Sequence, residues 1–385
     1  MILRVILFIS FFSALCIQTL FAETVAEKPY VIMISIDGYR HDYTQIYQPP
    51  NLLKISQKSH FPHRLKPIYP SKTFPNHISQ ITGKYPVDHG IIGNTFFNRL
   101  TKEPYAISNE IQKSQAHWYQ SPPIWVELEN IGIKTASLFW PGSDVNLFGT
   151  YPSYYKKYDK SLSNKDRIML AHKWFSLEEE VRPQLVLLYF SQVDSMGHKY
   201  GPASPQVEQA VGEIDALIGD LQNMMKSYSF PVNLVVVSDH GMKEVVEDKI
   251  IYLEDYINFD EKIKISGSGS VFYLYVDGDM RKKEVYENLK KCPHVNVFYR
   301  ENIPLDYKVN HTEHMSDIMI EVLSPYYMAR TKNDSHRPKG EHGYHPKKEQ
   351  DMDGIFYAVG KHLSGFERKS MEATDIYYFL KKILF

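Results

Sequence analysis

Three apolar runs, each followed closely by an aspartate, constrain the fold of this chain more than any other feature of its sequence. The runs cover residues 31–36, 185–190 and 234–237, and nearly every position in them is apolar. Such runs predict strands that are buried on both faces, as in parallel sheets covered by helices on both sides. The aspartates that follow are Asp37, Asp194 and Asp239.

Helical patterns alternate with these runs. Ser204 and Pro205 predict the start of a helix with apolar residues every three or four positions, and a second helix is predicted over 73–82. The segment 243–337 differs, because an apolar stretch there is followed by a lysine-rich helical pattern. We predict an α/β fold with a mostly parallel sheet, helices on both faces and a small inserted subdomain at 243–337.

The first 22 residues predict a secretory signal peptide, with an early positive charge at Arg4, an apolar stretch and a small residue, Ala22, at the end. We therefore expect a catalytic domain over 23–385 in a secreted or periplasmic protein. The alternative is an uncleaved membrane anchor, although the stretch is short for a full span. We expect no stable insertion into the membrane.

Composition excludes several classes of protein. Lys and Arg number 44 against 45 acidic residues, a net charge of -1, so there is no basic surplus for binding a nucleic-acid polymer. Two cysteines exclude a disulfide scaffold and a cysteine zinc finger. The sequence leaves the oligomeric state open.

Acidic and histidine residues predict a metal site. The carboxyl ends of parallel strands share one edge of a sheet, where three aspartates would repel each other unless cations lay between them. Asp194 lies four residues before His198, and His240 follows Asp239. Carboxylates and imidazoles suit Zn²⁺. Alone, the Asp194–His198 pair is more typical of a surface helix than of a metal site, and the short loop with His342 indicates nothing.

Thr73 is a candidate nucleophile at the start of the second predicted helix. Free N–H groups and the helix dipole favour a phosphoryl group there. A threonine hydroxyl needs a base or a metal to become nucleophilic. Thr73 as a simple helix cap is the alternative, and spacing alone does not favour it over Ser71.

Taken together, these motifs resemble the nucleotide pyrophosphatase/phosphodiesterase family of the alkaline phosphatase superfamily. The resemblance covers nearly the whole chain after residue 22 and looks like the single catalytic domain of bacterial members. The motifs are, in order, Asp37-Gly38, residues 72–76, 89–94, 139–143, 194–198, 239–242 and 342–344.

The resemblance implies two Zn²⁺ ions, with Thr73 as the nucleophile. It assigns Asp194, His198 and His342 to one zinc, and Asp37, Asp239, His240 and the Thr73 oxygen to the other. It also implies that Asn94 and the backbone N–H of Phe74 bind phosphate oxygens. Phe74 and Tyr158 would stack on a nucleobase, with Tyr154 and Tyr155 as alternatives to Tyr158.

The implied activity is that of a phosphoric diester hydrolase or nucleotide diphosphatase, which yields a nucleoside 5′-monophosphate through a covalent threonine intermediate. The expected partner is a small-molecule nucleotide or phosphodiester, because no arginine near the motifs resembles the one that monoesterases use. One alternative is a choline-phosphodiester or lysophospholipid phosphodiesterase of the same family, since aromatic cages also bind choline. The other is an inactive secreted binding protein, although every ligand position of the family is filled.

Overall fold

The computed structural model describes residues 27–334, 337–363 and 368–385. The predicted signal peptide at 1–22 lies outside these residues. Within the described ranges, the strands are β1 (Tyr30–Ile36), β2 (Arg64–Lys66), β3 (Thr95–Phe97), β4 (Pro104–Ala106), β5 (Thr135–Leu138), β6 (Tyr154–Lys156), β7 (Leu185–Phe190), β8 (Val232–Val237), β9 (Lys243–Glu244), β10 (Ile250–Tyr252), β11 (Ile263–Ser268), β12 (Val271–Val276), β13 (Val295–Tyr299), β14 (Ile318–Val322), β15 (Tyr327–Ala329), β16 (Gly340–Glu341), β17 (Gly354–Val359) and β18 (Met371–Glu372).

The helices of the same ranges include the two that the sequence predicts. The α-helices are α1 (Tyr43–Tyr47), α2 (Pro50–Lys58), α3 (Thr73–Thr82), α4 (Pro86–His89), α5 (Glu110–Lys113), α6 (Ile124–Asn130), α7 (Asn164–Phe175), α8 (Gln192–Tyr200), α9 (Pro205–Met225), α10 (Asp279–Leu289) and α11 (Asp375–Leu384). Short 3₁₀ turns lie at Ala116–Trp118, Glu247–Lys249, Leu253–Asp255, Arg300–Asn302, Leu305–Tyr307 and Gln350–Met352. The Ser204 hydroxyl accepts from the backbone N–H of Val207 and caps α9.

The largest sheet of the described residues has eight strands in the order β18-β2-β17-β8-β1-β7-β5-β6. Strands β8, β1, β7, β5 and β6 pair in parallel, and β17 is antiparallel to β8 and β2. Every residue of β1 is buried. Val31 and Met33 pack with α3, α6 and α11 on one face, and Ile32 and Ile34 pack with α2, α7 and α9 on the other. The predicted α/β class with a mostly parallel sheet is confirmed.

A second sheet lies within the segment 243–337. It is antiparallel in the order β11-β12-β14-β13, and one of its faces, together with α10, encloses a separate apolar cluster. Hydroxyls link it to the main body, since Tyr273 donates to the carbonyl of Ile92 at 2.7 Å and Ser270 donates to that of His342 at 2.7 Å. The exact bounds of the inserted subdomain remain a prediction. In the described ranges, no helix combines the length and the apolar character needed to cross a membrane.

Three buried histidines lie where these two parts meet. Burial lowers the pKa of His89 to about 3, and His311 beside it contributes to the shift. Burial likewise lowers the pKa of His311 to about 4, with Arg300 contributing, and that of His314 to about 4. Burial therefore favours the neutral form of all three rings, and each ring has a hydrogen-bond partner.

We expect acid to destabilise the fold through these histidines. Their stabilising contribution is complete above pH 6.5 and is lost as the pH falls, because the unfolded chain then binds protons that the folded protein excludes. Each ring is worth about 2 kcal/mol between pH 7 and pH 5. Denaturant unfolding at both pH values should therefore show a shallower pH dependence for His314→Gln than for the wild type. Equal dependence in the two proteins would contradict this expectation.

Candidate active site

Three neighbouring strands of the main sheet bring the predicted aspartates together. Strand β1 lies between β7 and β8, so the residues after all three strands meet at one edge. The backbone N–H of Asp194 donates to the carbonyl of Asp37 at 3.1 Å, and the N–H of Gly38 donates to Asp239 Oδ1 at 3.2 Å. Gly38 has a φ of +69°, and a Cβ there would lie 2.8 Å from the Cα of Asp194, so only glycine allows this approach.

A first group consists of Asp194, His198 and His342, whose ligand atoms all lie within 4.8 Å of one another. Asp194 lies in the first turn of α8, beyond the strand end where the sequence placed it, and His198 lies one turn further along the same helix. His342 lies in the loop directly after β16. The main chain orients both rings, because His198 Nδ1 is 2.8 Å from the carbonyl oxygen of Gly340 and His342 Nδ1 is 2.9 Å from that of Ser71.

These contacts determine what the first group can bind. A carbonyl oxygen only accepts, so each ring carries its proton on Nδ1 and a lone pair on Nε2. The two Nε2 atoms lie 3.1 Å apart, and Asp194 Oδ1, 3.4 Å from that of His198, has no hydrogen-bond partner among the described residues. Burial, with the neighbouring His240 and Lys72, lowers the pKa of His342 well below its ordinary value. A proton is therefore disfavoured there, and a metal cation fits.

A second group surrounds His240 Nε2. This atom lies 3.4 Å from Asp37 Oδ1, 3.1 Å from Asp239 Oδ2 and 3.4 Å from Thr73 Oγ1. The two carboxylate oxygens are buried and lack hydrogen-bond partners within the described parts of the chain. The ligand atoms of Asp37, His240 and Asp194 also lie within 4.8 Å of one another, whereas the resemblance assigned Asp239 in place of Asp194. The carboxylate of Asp194 therefore lies between the two groups.

The pKa values of Asp37 and Asp239 reflect how closely the carboxylates of this site are packed. Burial raises the pKa of Asp37 well above its ordinary value, and Asp239 and Asp194 raise it further. Burial would also raise the pKa of Asp239, but His240 and His77 beside it bring it down to about 2. Buried carboxylates this close need positive charge between them. The donor set of oxygens and imidazole nitrogens suits zinc.

Thr73 is the first residue of α3, and Lys72 occupies the capping position without a side-chain cap. Thr73 therefore does not cap the helix, contrary to the simpler alternative. Its hydroxyl faces His240 of the second group. Ser71 is turned elsewhere, because its hydroxyl donates to the carbonyl oxygen of Tyr344 at 2.7 Å. The structure therefore favours Thr73 over Ser71 as the candidate nucleophile, a choice that sequence spacing alone could not make.

Asn94 lies beside the start of α3. Its Oδ1 accepts from the backbone N–H of Phe74 at 3.0 Å. This N–H is therefore already paired, and its binding to a phosphate oxygen stays a prediction. The contact orients the Asn94 side chain and leaves its Nδ2 group as the donor available to a ligand.

A cavity of about 500 Å³ is lined by the first group, by Asp37 of the second group, by Thr73 and by an aromatic wall. Phe74 and Tyr158 line it, and Phe139 contacts Tyr158 edge-on with ring centroids 5.2 Å apart. Phe139 adopts a φ of +70°, a costly conformation for a residue other than glycine. Tyr154 instead donates to the carbonyl of Val181, and Tyr155 stacks on Tyr151. Among the described lining residues there is no arginine.

Several residues of the site had no recognisable signal in the sequence. Glu110, Lys113 and Asp144 line the cavity, and the Lys113 ammonium lies 5.3 Å from the centroid of the Tyr158 ring. Lys72 Nζ and Glu341 Oε1 form a buried ion pair at 2.7 Å that connects the Thr73 segment with the His342 loop. Partners so far apart in sequence could be found only from the fold.

Among the histidines near the motifs, His77 contacts the second group. Its Nδ1 lies 2.9 Å from the carbonyl oxygen of Thr73 and 3.4 Å from Asp239 Oδ2. His345 instead stacks on Tyr69, with ring centroids 4.9 Å apart. His77 can therefore orient the second group, whereas the ring of His345 contacts Tyr69.

Carboxylates and imidazoles gathered beside a helix-terminal threonine in an α/β fold are typical of metal-dependent hydrolases. Within that class, residues 31–345 match the model of the family described as type I phosphodiesterase/nucleotide pyrophosphatase. The chain belongs to this family, as the motifs of the sequence predict.

Curated relatives and solved structures agree with this assignment. The chain is 32% identical to ectonucleotide pyrophosphatase/phosphodiesterase family member 3 of Bos taurus over 350 residues, which cover 87% of this chain and 39% of that protein. It is 30% identical over 363 residues to the Homo sapiens bis(5′-adenosyl)-triphosphatase, covering 92% of this chain and 78% of that protein. A structure of murine ectonucleotide pyrophosphatase/phosphodiesterase 5, an inactive threonine-to-alanine variant in complex with AMP, superposes with a TM-score of 0.86 at 27% identity, covering 93% of this chain and 95% of that one.

Proposed function

We propose that this protein is a secreted or periplasmic enzyme that hydrolyses nucleotide phosphodiester or phosphoanhydride bonds and releases a nucleoside 5′-monophosphate. The observation that carries the proposal is the cavity in which Thr73, the first group and Asp37 of the second group adjoin the rings of Phe74 and Tyr158. Support also comes from the AMP complex of the murine relative and from the name of the human triphosphatase.

Two zinc ions fit the two groups. We assign Asp194, His198 and His342 to one ion, and Asp37, Asp239, His240 and the Thr73 oxygen to the other. Bound there, zinc would stabilise negative charge on the attacking and leaving oxygens of a displacement at phosphorus. The orphaned oxygens of Asp37, Asp194 and Asp239 support this assignment.

Thr73 is the proposed nucleophile. Its Oγ1 gives up its proton to solvent and forms a bond to phosphorus while the bond to the leaving oxygen breaks, which gives a nucleotidyl-threonine and the free leaving group. Water then attacks phosphorus from the vacated side, the bond to Thr73 breaks, and a proton of the attacking water restores the hydroxyl. The N-terminal end of α3 favours the negative charge of the phosphoryl group throughout. The inactive threonine-to-alanine variant of the murine relative supports this role.

The cavity favours diesters over monoesters. A monoester carries an extra negative charge, and the described lining residues offer no arginine to neutralise it. The lysine among them, Lys113, is already paired with Glu110 at 2.6 Å. The aromatic wall instead suits a nucleobase, which stacks on rings. The substrate is therefore expected to carry organic groups on both sides of the phosphorus, as nucleoside triphosphates and dinucleotide polyphosphates do.

A substrate panel on the zinc-loaded protein tests the proposal. We expect faster hydrolysis of the nitrophenyl ester of thymidine 5′-monophosphate than of nitrophenyl phosphate, and release of AMP from ATP. Preference for nitrophenyl phosphate would contradict the diester assignment. Choline release from glycerophosphocholine without AMP release from ATP would contradict the nucleotide assignment.

Asn94→Ala should lower kcat by roughly 10²–10³-fold, the usual cost of losing one donor to a transition-state oxygen. The zinc content of the variant should equal that of the wild type, because Asn94 contacts the N–H of Phe74 and no proposed ligand. Steady-state kinetics and elemental analysis measure both quantities. Asn223→Ala, on the exposed part of α9, is the control. Full activity of Asn94→Ala would remove this side chain from the site.

A further inference from the structure

Tyr189 contacts a proposed zinc ligand directly, although its position inside an apolar strand suggests only packing. Its hydroxyl lies 2.5 Å from Asp37 Oδ2, and the side chain lines the active-site cavity. A carboxylate only accepts hydrogen bonds, so the phenol donates. The other oxygen, Asp37 Oδ1, faces His240 Nε2 at 3.4 Å. The phenol thus leaves one oxygen of Asp37 turned toward the second group.

Asp239 shows the same division of its two oxygens. Its Oδ1 accepts from the backbone N–H of Gly38, and its Oδ2 faces His240. In both carboxylates one oxygen is held by a donor, and the other is buried without a partner among the described residues. The donor to Asp239 belongs to the main chain. The donor to Asp37 is a side chain that can be replaced.

The position of the phenol is itself fixed. Tyr189 of β7 pairs with Ser35 of β1. Because Ser35 lies two residues before Asp37, the tyrosine lies beside the end of β1 from which Asp37 follows. Arg167 Nη1 donates to its carbonyl at 2.8 Å. The ring of His77 meets the tyrosine ring edge-on, with centroids 5.3 Å apart. A rigid donor of this kind can hold a carboxylate in one orientation.

We propose that Tyr189 is a positioning residue that holds Asp37 in the single-oxygen orientation needed to bind the ion of the second group. This inference rests on the proposed two-zinc site. Without the phenol, the hydrogen bond that holds Asp37 Oδ2 is lost, and the orientation of this carboxylate is less restricted. Groups that orient metal ligands typically change metal affinity by about 10- to 100-fold when removed.

Zinc affinities of the wild type and Tyr189→Phe, measured by competition with a chromophoric chelator, test the inference. We expect one of the two zinc dissociation constants to rise about 10- to 100-fold and the other to stay unchanged. Activity of the variant should return when free zinc is raised, which a packing defect would not allow. Tyr357→Phe is the matched control, because that buried tyrosine donates to Thr44.

The outcomes are distinct. If the wild type binds no zinc, the proposed function fails and this inference fails with it. If the wild type binds two zinc ions and Tyr189→Phe binds both as tightly, this inference alone fails. Equal weakening of both ions, or activity that excess zinc does not restore, would likewise overturn it in favour of a purely structural role.

Discussion

Thr73→Ala should abolish turnover, lowering kcat by at least about 10⁴-fold, because enzymes lose most of their catalysis when a covalent nucleophile is removed. The zinc content should fall little, since the side chains of Asp37, Asp239 and His240 remain in place. We expect this loss because Thr73 Oγ1 lies next to His240, whereas the Ser71 hydroxyl donates to the carbonyl of Tyr344 and is not available to replace it.

Acid quenching during turnover gives a second measurement of the same prediction. Mass spectrometry of the wild type should show a nucleotidyl group on the peptide that contains Thr73, and Thr73→Ala should show none. Thr82→Ala, at the other end of the same helix, is the control, because its hydroxyl donates to the carbonyl of Ile78. A variant of Thr73 that keeps more than about a tenth of the activity would place the nucleophile elsewhere.

Removal of zinc is expected to have the second largest effect. A chelator should lower activity by at least about 10³-fold, because the cations provide several kcal/mol of charge stabilisation in the transition state. It should also lower the melting temperature, since a ligand that binds only the folded state stabilises that state. Crowding of Asp37 with Asp194 and Asp239 would then be uncompensated.

Added zinc should restore both properties with two ions per chain. His342→Gln should bind one zinc ion fewer and lose activity. His172→Gln is the control, because His172 contacts Tyr228 outside the site. Full turnover by protein that elemental analysis shows to be free of metal would contradict the proposed mechanism.

Much of this site follows from the sequence because parallel strands end at a common edge. Strands β1, β7 and β8 are apolar at nearly every position, so their assignment and the meeting of Asp37, Asp194 and Asp239 could be predicted together. The partner of Tyr189 could not, because the contact depends on the register of Ser35 with Tyr189 across β1 and β7. Periodicity reports which face is buried, whereas register also depends on packing across the sheet.

Contacts between segments far apart in the chain could not be predicted from the sequence either. The ion pair of Lys72 with Glu341 joins residues 269 positions apart. The N–H of Phe74 seemed free in the sequence because the loop that carries Asn94 could not be placed. The two groups around Asp194 likewise required coordinates, since a single carboxylate lies close to both.

Anomalous diffraction at the zinc absorption edge, from crystals of the zinc-loaded protein, tests the central claim most directly. We expect two peaks, one among the side chains of Asp194, His198 and His342 and one among those of Asp37, Asp239 and His240. Two peaks in these positions beside the Thr73 hydroxyl are the predicted result. The absence of zinc from both positions, in protein that is active, would contradict the account.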